Sequence, residues 1–375
     1  MAGDIVSEHP FIHVAEPLLA GNELKYVTDC VESNWISSLG KYVQDFEQQF
    51  AAYCGARYGI ATANGTVAIH LLAATLNLGP GDEVIMPSLT FVATANGIHY
   101  TGATPVFVDS ETETWNIDPE TVAAAITPRT KAIFAVHLYG HPADMDPLRD
   151  IAEEHGLLLF EDAAEAHGAC YKGKRTGGLS DAAIFSFYGN KIITTGEGGI
   201  IVTDNEEWAK RAFFLENQGR YNDNPYWHPE LAYNYRMTNI QAAIGLAQFE
   251  QIDELIAIRR RNADHYRQRL SGIKGLTLPP EAPWATNVYW MYSVLIEDDF
   301  GLSRDEVRTQ LRQANIDSRP FFYPVHTLPM YNTGQSLPVA ESLSAKGLNL
   351  PSGATLTPEQ IDYVCDTLTN LTNKR

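Results

Sequence analysis

Through the first two-thirds of the chain, short apolar runs alternate with longer stretches whose apolar positions recur every three or four residues. The runs are EVIM (83–86), TPVFVD (104–109), KAIFAVH (131–137), LLLFED (157–162) and AAIFSF (182–187). Runs apolar on both faces imply strands covered above and below, and stretches such as DMDPLRDIAEEHG (144–156) supply the helical crossovers that parallel strands require. The pattern predicts an α/β core with a mostly parallel sheet flanked by helices. Ligands of such sheets gather beyond the carboxyl ends of the strands. There the chain places PSLTF after EVIM, HLYGHPADM after KAIFAV, Asp162 at the end of LLLFED, and Lys191 after AAIFSF.

Farther on, Thr238 to Leu270 carries apolar residues at helical spacing and is predicted as a helical segment leading out of the core. NVYWMYSVLI (287–296) reads as a strand, and SRDEVRTQLRQANI (303–316) as a helix opened by a Ser303 cap. The expected organisation is a large α/β domain over 12–254 and a smaller C-terminal α+β domain over 255–375. A length of 375 residues suits two or three such units.

Composition narrows the class of partner. The 27 basic residues against 46 acidic ones leave a net charge of −19, a field that repels phosphate backbones, so no nucleic-acid partner is expected. Cys30, Cys54, Cys170 and Cys365 are scattered without CxxC spacing, which argues against a zinc site or a disulfide framework and suits a reducing cytoplasm. The opening MAGDIVSEHPFIHV is acidic where a signal peptide would be basic. No apolar run approaches the roughly 20 residues that span a bilayer, so no membrane association is expected.

The chemistry is carried by residues that are each ambiguous alone. A lysine at the mouth of a buried site forms Schiff bases with carbonyl groups, although most lysines are solvated surface residues. Lys191 sits in FSFYGNKIITTGEGG, whose glycines Gly189, Gly196, Gly198 and Gly199 let the backbone turn and keep the neighbourhood clear, as a simple hairpin would also do. Asp162 ends an apolar run, where a carboxylate meets either a cation such as a pyridinium nitrogen or a helix start. Glu165 follows one turn later and either bonds the same ring or faces solvent. In ATANGTVAIHLLAATLN (61–77), Gly65 and Thr66 open an apolar helix whose free amides suit a phosphate, with Ser186 adding a hydroxyl; a plain cap explains the same letters. Phe91 is placed to stack on a flat ring or to pack in the core. Together these residues give a ring nitrogen, a ring face, a phosphate and an aldehyde one partner each, which is the set pyridoxal 5'-phosphate requires.

From about Ile12 onward the chain resembles the sugar-nucleotide aminotransferases, a pyridoxal phosphate family with the type I (aspartate) aminotransferase fold. The resemblance rests on WISSLGKYV (35–43), ANGTVAIHL (63–71), GPGDEVIMPSLTFVATANGI (79–98), EDAAEAHGA (161–169), FSFYGNKIITTGEGG (185–199), YNYRMTNIQAAIGLAQ (233–248) and RPFFYPVH (319–326). It implies that Lys191 is the Schiff-base lysine, Asp162 the partner of the ring nitrogen and Phe91 the stacking ring, with Gly65, Thr66 and Ser186 on the phosphate. It also implies a homodimer with shared active sites, in which Asn234 reaches the neighbour's phosphate. For substrate, the expected contacts are Trp35, Ser37, Asn190, Arg236, Tyr323 and His326, with His326 equally readable as structural.

Tyr188 stands where many members of the family carry histidine. The YGNK, EDAAEA and NYRMTNIQAAIGLAQ stretches resemble the branch that transfers an amino group from L-glutamate to C4 of a GDP-linked 4-keto-6-deoxy sugar. UDP- or dTDP-linked keto sugars are the alternative. A dehydratase branch has histidine at the Lys191 position, so the lysine favours amino transfer. A non-catalytic protein on the same fold has no need of the whole set. A nucleotide-binding dehydrogenase lacks support because no GxGxxG follows a first strand.

Overall fold

The computed structural model describes residues 10–220, 224 and 226–373. The opening stretch 1–9, whose acidity bears on a leader, and residues 374–375 of the C-terminal region lie outside them.

Seven strands form the main sheet: β1 (Tyr58–Thr62), β2 (Glu83–Pro87), β3 (Thr104–Val108), β4 (Thr130–Val136), β5 (Leu158–Asp162), β6 (Ala182–Ser186) and β7 (Gly199–Thr203). Their spatial order is β1-β7-β6-β5-β4-β2-β3. The pairs β2 with β3, β2 with β4, β4 with β5 and β5 with β6 are parallel, whereas β7 runs antiparallel to both neighbours. All five residues of β2 and of β7 are buried, as expected of strands covered on both faces. The helix Met145–His155 supplies the predicted crossover into β5 and ends on Gly156 at φ 63°, the left-handed cap that glycine adopts without steric cost. The register sets Val136 opposite Asp162 and Asp162 opposite Ile184. β4 and β5 therefore finish level, β6 runs two residues further to Ser186, and Asp162 comes to the sheet edge.

Two strands were not among those the apolar runs predict. β1 is only YGIAT, and β7 returns directly from the turn after β6, without the helical spacer by which the others are recognised. The segment 238–270 is also not one helix. It divides into Asn239–Phe249 and Ile252–Leu270, the second preceded by Gln251 at φ −113°, ψ 7°.

A second apolar core surrounds an antiparallel sheet of β8 (Leu276–Thr277), β9 (Tyr292–Ile296), β10 (Arg319–Pro320) and β11 (Gly347–Leu350), in the order β8-β9-β11-β10. Only the second half of NVYWMYSVLI is strand; Tyr289 takes a left-handed φ of 48° and Met291 precedes β9. The helix Arg304–Gln313 begins as expected on Ser303, whose hydroxyl and Glu306 carboxylate form a reciprocal capping box. Ile12 also belongs to this second core and bridges to Ile316.

Candidate active site

Beyond the carboxyl ends of β4, β5 and β6 lies a cavity of about 680 Å³, lined by Gly65, Thr66, Phe91, Asp162, Glu165, Ser186, Asn190 and Lys191 among others. It exists because residues from distant parts of the chain are held against one edge of a rigid sheet.

Lys191 follows the turn Tyr188–Lys191, closed by a hydrogen bond from its own N–H to the Tyr188 carbonyl at 2.9 Å. Its side chain is 11% exposed, with Nζ 3.9 Å from Glu165 Oε1 and 3.8 Å from the centroid of the Trp290 ring. Burial pushes the Lys191 pKa down, opposed by the charges of Glu165 and Asp162. Asp162 and Glu165 are pushed up by the same burial. Opposite displacements of neighbouring titratable groups in one cleft are what a proton-transfer site requires.

The Asp162 carboxylate is held from two sides. Thr94 Oγ1 donates to Oδ2 at 2.7 Å and the Ala164 N–H to Oδ1 at 3.2 Å. Thr90 and Thr94 share a further hydrogen bond at 3.0 Å. Glu165 Oε2 accepts from the N–H of Tyr139 at 2.8 Å, and Tyr139 is a buried residue with a left-handed φ of 53°.

Across the cavity the helix Gly65–Thr75 opens on Asn64, whose Oδ1 accepts from the Val67 N–H at 3.0 Å, leaving the amides of Gly65 and Thr66 ahead of that capped turn. A Cβ on Gly65 would stand 2.9 Å from that of Ser186, so only glycine lets this helix start meet the serine. Gly199 is needed similarly: a Cβ there would lie 2.6 Å from the Asn64 carbonyl. Gly196 has φ 82°, in keeping with the expected sharp turn, whereas a Cβ at Gly189 would meet nothing within 4 Å, so that glycine is not required by space. The Phe91 ring is 54% exposed, 5.6 Å from that of Phe322, with a face free for stacking. Anion-binding amides, a hydroxyl, an exposed aromatic face, a buried carboxylate and an amine thus converge as a donor set that fits pyridoxal phosphate.

A second chamber of about 650 Å³ adjoins the first, sharing Thr90, Phe91, Tyr188, Asn190, Trp290 and Phe322 and adding Arg319 and Tyr323. Asn190 lines both, and its buried Oδ1 has no hydrogen-bond partner among the described residues. The remaining expected substrate residues are not gathered there. Trp35, 56% exposed, lines a separate depression with Leu39 and Asn239, and the carbonyl of exposed Ser37 accepts from the Asn239 N–H. Asn234 is exposed and bridges to Asn217; Arg236 bridges to Thr62 beside buried Glu216. His326 is 2% exposed and bonded to Ser88 at 2.6 Å and Glu341 at 3.2 Å.

Thr94 and Trp290 escaped the sequence reading. Thr94 lies three residues after Phe91 but gains meaning only when Asp162 arrives beside it, and Trp290 stood inside a stretch read wholly as strand.

The chain is similar to known proteins in sequence and in structure. A GDP-perosamine synthase of Caulobacter vibrioides is 49% identical over 362 residues, covering 96% of this chain and 98% of that one. The crystal structure of DesI with its TDP-sugar product superposes with a TM-score of 0.92 at 36% identity, covering 98% of this chain and 94% of that one. The PLP form of Spr1654 from Streptococcus pneumoniae gives 0.92 at 27% identity, with 97% and 99% covered. Residues 17–369 match the model of the DegT/DnrJ/EryC1/StrS aminotransferase family. The chain belongs to that family.

Proposed function

We propose that this chain is a pyridoxal phosphate-dependent aminotransferase that moves the amino group of L-glutamate to C4 of GDP-4-keto-6-deoxy-D-mannose, giving GDP-perosamine. The observation that carries the chemistry is the meeting of Lys191, Asp162 and the Gly65–Ser186 cradle in one cavity. The choice of sugar nucleotide draws on the extent of the likeness to the Caulobacter enzyme, which covers almost the full length of both chains.

Gly65, Thr66 and Ser186 would hold the cofactor phosphate, Phe91 its ring face, Asp162 and Glu165 its polar ring groups, and Lys191 its aldehyde. When bound, the cofactor supplies an electron-withdrawing ring that accepts the electrons left on a carbon as a proton departs. Asp162, held by Thr94 and Ala164, presents a carboxylate in a dry site, where a paired charge is worth far more than in water. Lys191, whose pKa burial lowers, is suited to carry a free Nζ that would take a proton from the donor carbon and return it on the cofactor side of the intervening nitrogen. Glu165, beside Nζ, offsets the charge that results. The second chamber, with Tyr323 and Arg319, is where the nucleotide-linked sugar would extend. Two copies sharing each site would bring Asn234, and with it the Trp35–Ser37 loop and Arg236, to the neighbour's cavity, which accounts for their distance from it within one chain.

A second reading, amino transfer to a dTDP-linked keto sugar, is favoured by the likeness to DesI, solved with a TDP-sugar product. Amino transfer from glutamate assayed with GDP-, UDP- and dTDP-linked 4-keto-6-deoxyhexoses, read by product mass, separates the two. A preference for GDP is expected, and a preference for another base overturns the sugar assignment. Borohydride reduction of the loaded protein should leave a pyridoxyl mass on Lys191; its absence would overturn the cofactor chemistry itself.

A further inference from the structure

Trp290 lies just before β9, packs into the core that covers the main sheet, and lines both chambers. Its indole Nε1 donates to the carbonyl of Asn190 at 2.8 Å, the residue immediately before Lys191. Its ring centroid stands 3.8 Å from Lys191 Nζ, and its other contacts include the Tyr139 ring at 6.2 Å with 22° between planes. The backbone is anchored as well, because the Trp290 carbonyl accepts from buried Arg259 at 3.0 Å, which also donates to the Ser352 carbonyl at 2.8 Å.

Lys191 needs such a partner. Among the described residues Nζ makes no hydrogen bond, and the groups acting on it electrostatically are Glu165 at 3.9 Å, Asp162 and His167. His167 is fully buried and held neutral, its pKa pushed down to about 3 by burial and by Lys191. An aromatic face attracts a cation without demanding one donor direction, so it holds an ammonium while letting the chain swing, which a hydrogen bond does less readily.

On the reading of Lys191 given under Proposed function, we propose that Trp290 is a positioning residue for this lysine. Its ring receives Nζ whenever the amine is charged and free of the cofactor, and its N–H pins the backbone beside it. A residue distant in the chain thereby sets the state of this lysine.

Two variants separate the ring from the N–H: Trp290→Met removes both while keeping bulk, and Trp290→Phe keeps a ring. In the cofactor-free full-length protein, the pH dependence of Lys191 acetylation by acetic anhydride, read by peptide mass, reports the charge on Nζ. Loss of the ring should move the midpoint down by about one pH unit, with Trp290→Phe moving it less. In the loaded enzyme, the single-turnover rate with glutamate should fall about tenfold in Trp290→Phe, with little change in glutamate KM, because the pin is lost while the pocket stays. An unchanged midpoint in folded Trp290→Met overturns the inference. Should that variant fail to fold, a wild-type single-turnover rate in Trp290→Phe overturns it instead. Borohydride labelling of Lys191 in the wild type keeps the two readings apart: without the label the cofactor reading fails, and with it a negative result falls on Trp290 alone.

Discussion

Asp162 and Lys191 meet the same desolvation with opposite responses, one pKa rising and the other falling, and each is moderated by the other's charge. Replacing Asp162 with Asn keeps the shape and removes the charge. Amino transfer by Asp162→Asn should fall by two orders of magnitude or more, roughly the scale of a lost preorganised charge, while the borohydride label on Lys191 persists. Loss of the label as well would mean that the aspartate serves mainly to build the cavity. Both residues were legible in the sequence because a charge at the end of an apolar run needs a reason. The hydroxyls of Thr94 and Thr90 were not, since threonine in a short helix or the bend before it is unremarkable until its partner is known. His326 shows the reverse: it stands in a motif, yet its two ring nitrogens are taken up by Ser88 and Glu341.

At the scale of elements, the approach of the helix Gly65–Thr75 to β7 depends on the absence of a side chain at Gly199. Gly199→Ala forces a Cβ against the Asn64 backbone, which cannot yield as a side-chain tip would. It should cost about 1–3 kcal/mol in denaturant unfolding, as overpacking does, and weaken cofactor retention more than a remote change of equal cost. Ser303→Ala, far from the cavity, provides that comparison: loss of the capping box should cost about 1 kcal/mol with cofactor affinity unchanged. Equal cofactor loss in the two would show that general destabilisation, rather than the helix start, governs retention. The parallel strands and their crossover were readable because burial on both faces leaves a continuous apolar run. β1 and β7 were not, each carrying a glycine and β7 following β6 without a helical spacer, and neither was the break near Gln251, which leaves the helical spacing on either side intact.

For the molecule as a whole, an excess of 19 negative charges places weight on acids that are buried. Glu216 is 5% exposed, one of its oxygens lacks a hydrogen-bond partner among the described residues, and burial together with Glu47 raises its pKa from the ordinary 4.5 to about 9, against the pull of Arg236. The folded protein therefore holds this proton where the unfolded chain has released it. Stability from the neutral form is fully present below pH 4.5 and drains away as pH rises towards about 9. Urea unfolding should show stability declining over that interval, and Glu216→Gln should flatten the decline and leave the protein more stable than wild type at pH 9. An identical slope in the variant would mean that Glu216 ionises normally in the fold. Phe91, Tyr100, Tyr188 and Tyr323 leave large apolar side chains exposed around the chambers.

What the order of residues determined by itself was whatever local physics enforces: strands apolar on both faces, a capped helix, and polar groups stranded at strand ends, where burial without a partner is costly. Family motifs added roles for single residues. Tertiary structure alone decided which of those groups meet. Thr94 reaches Asp162 across 68 positions and the Trp290 indole reaches the Asn190 carbonyl across 100, because strand register and the packing of two cores set those distances, and neither is written in the spacing of the residues concerned.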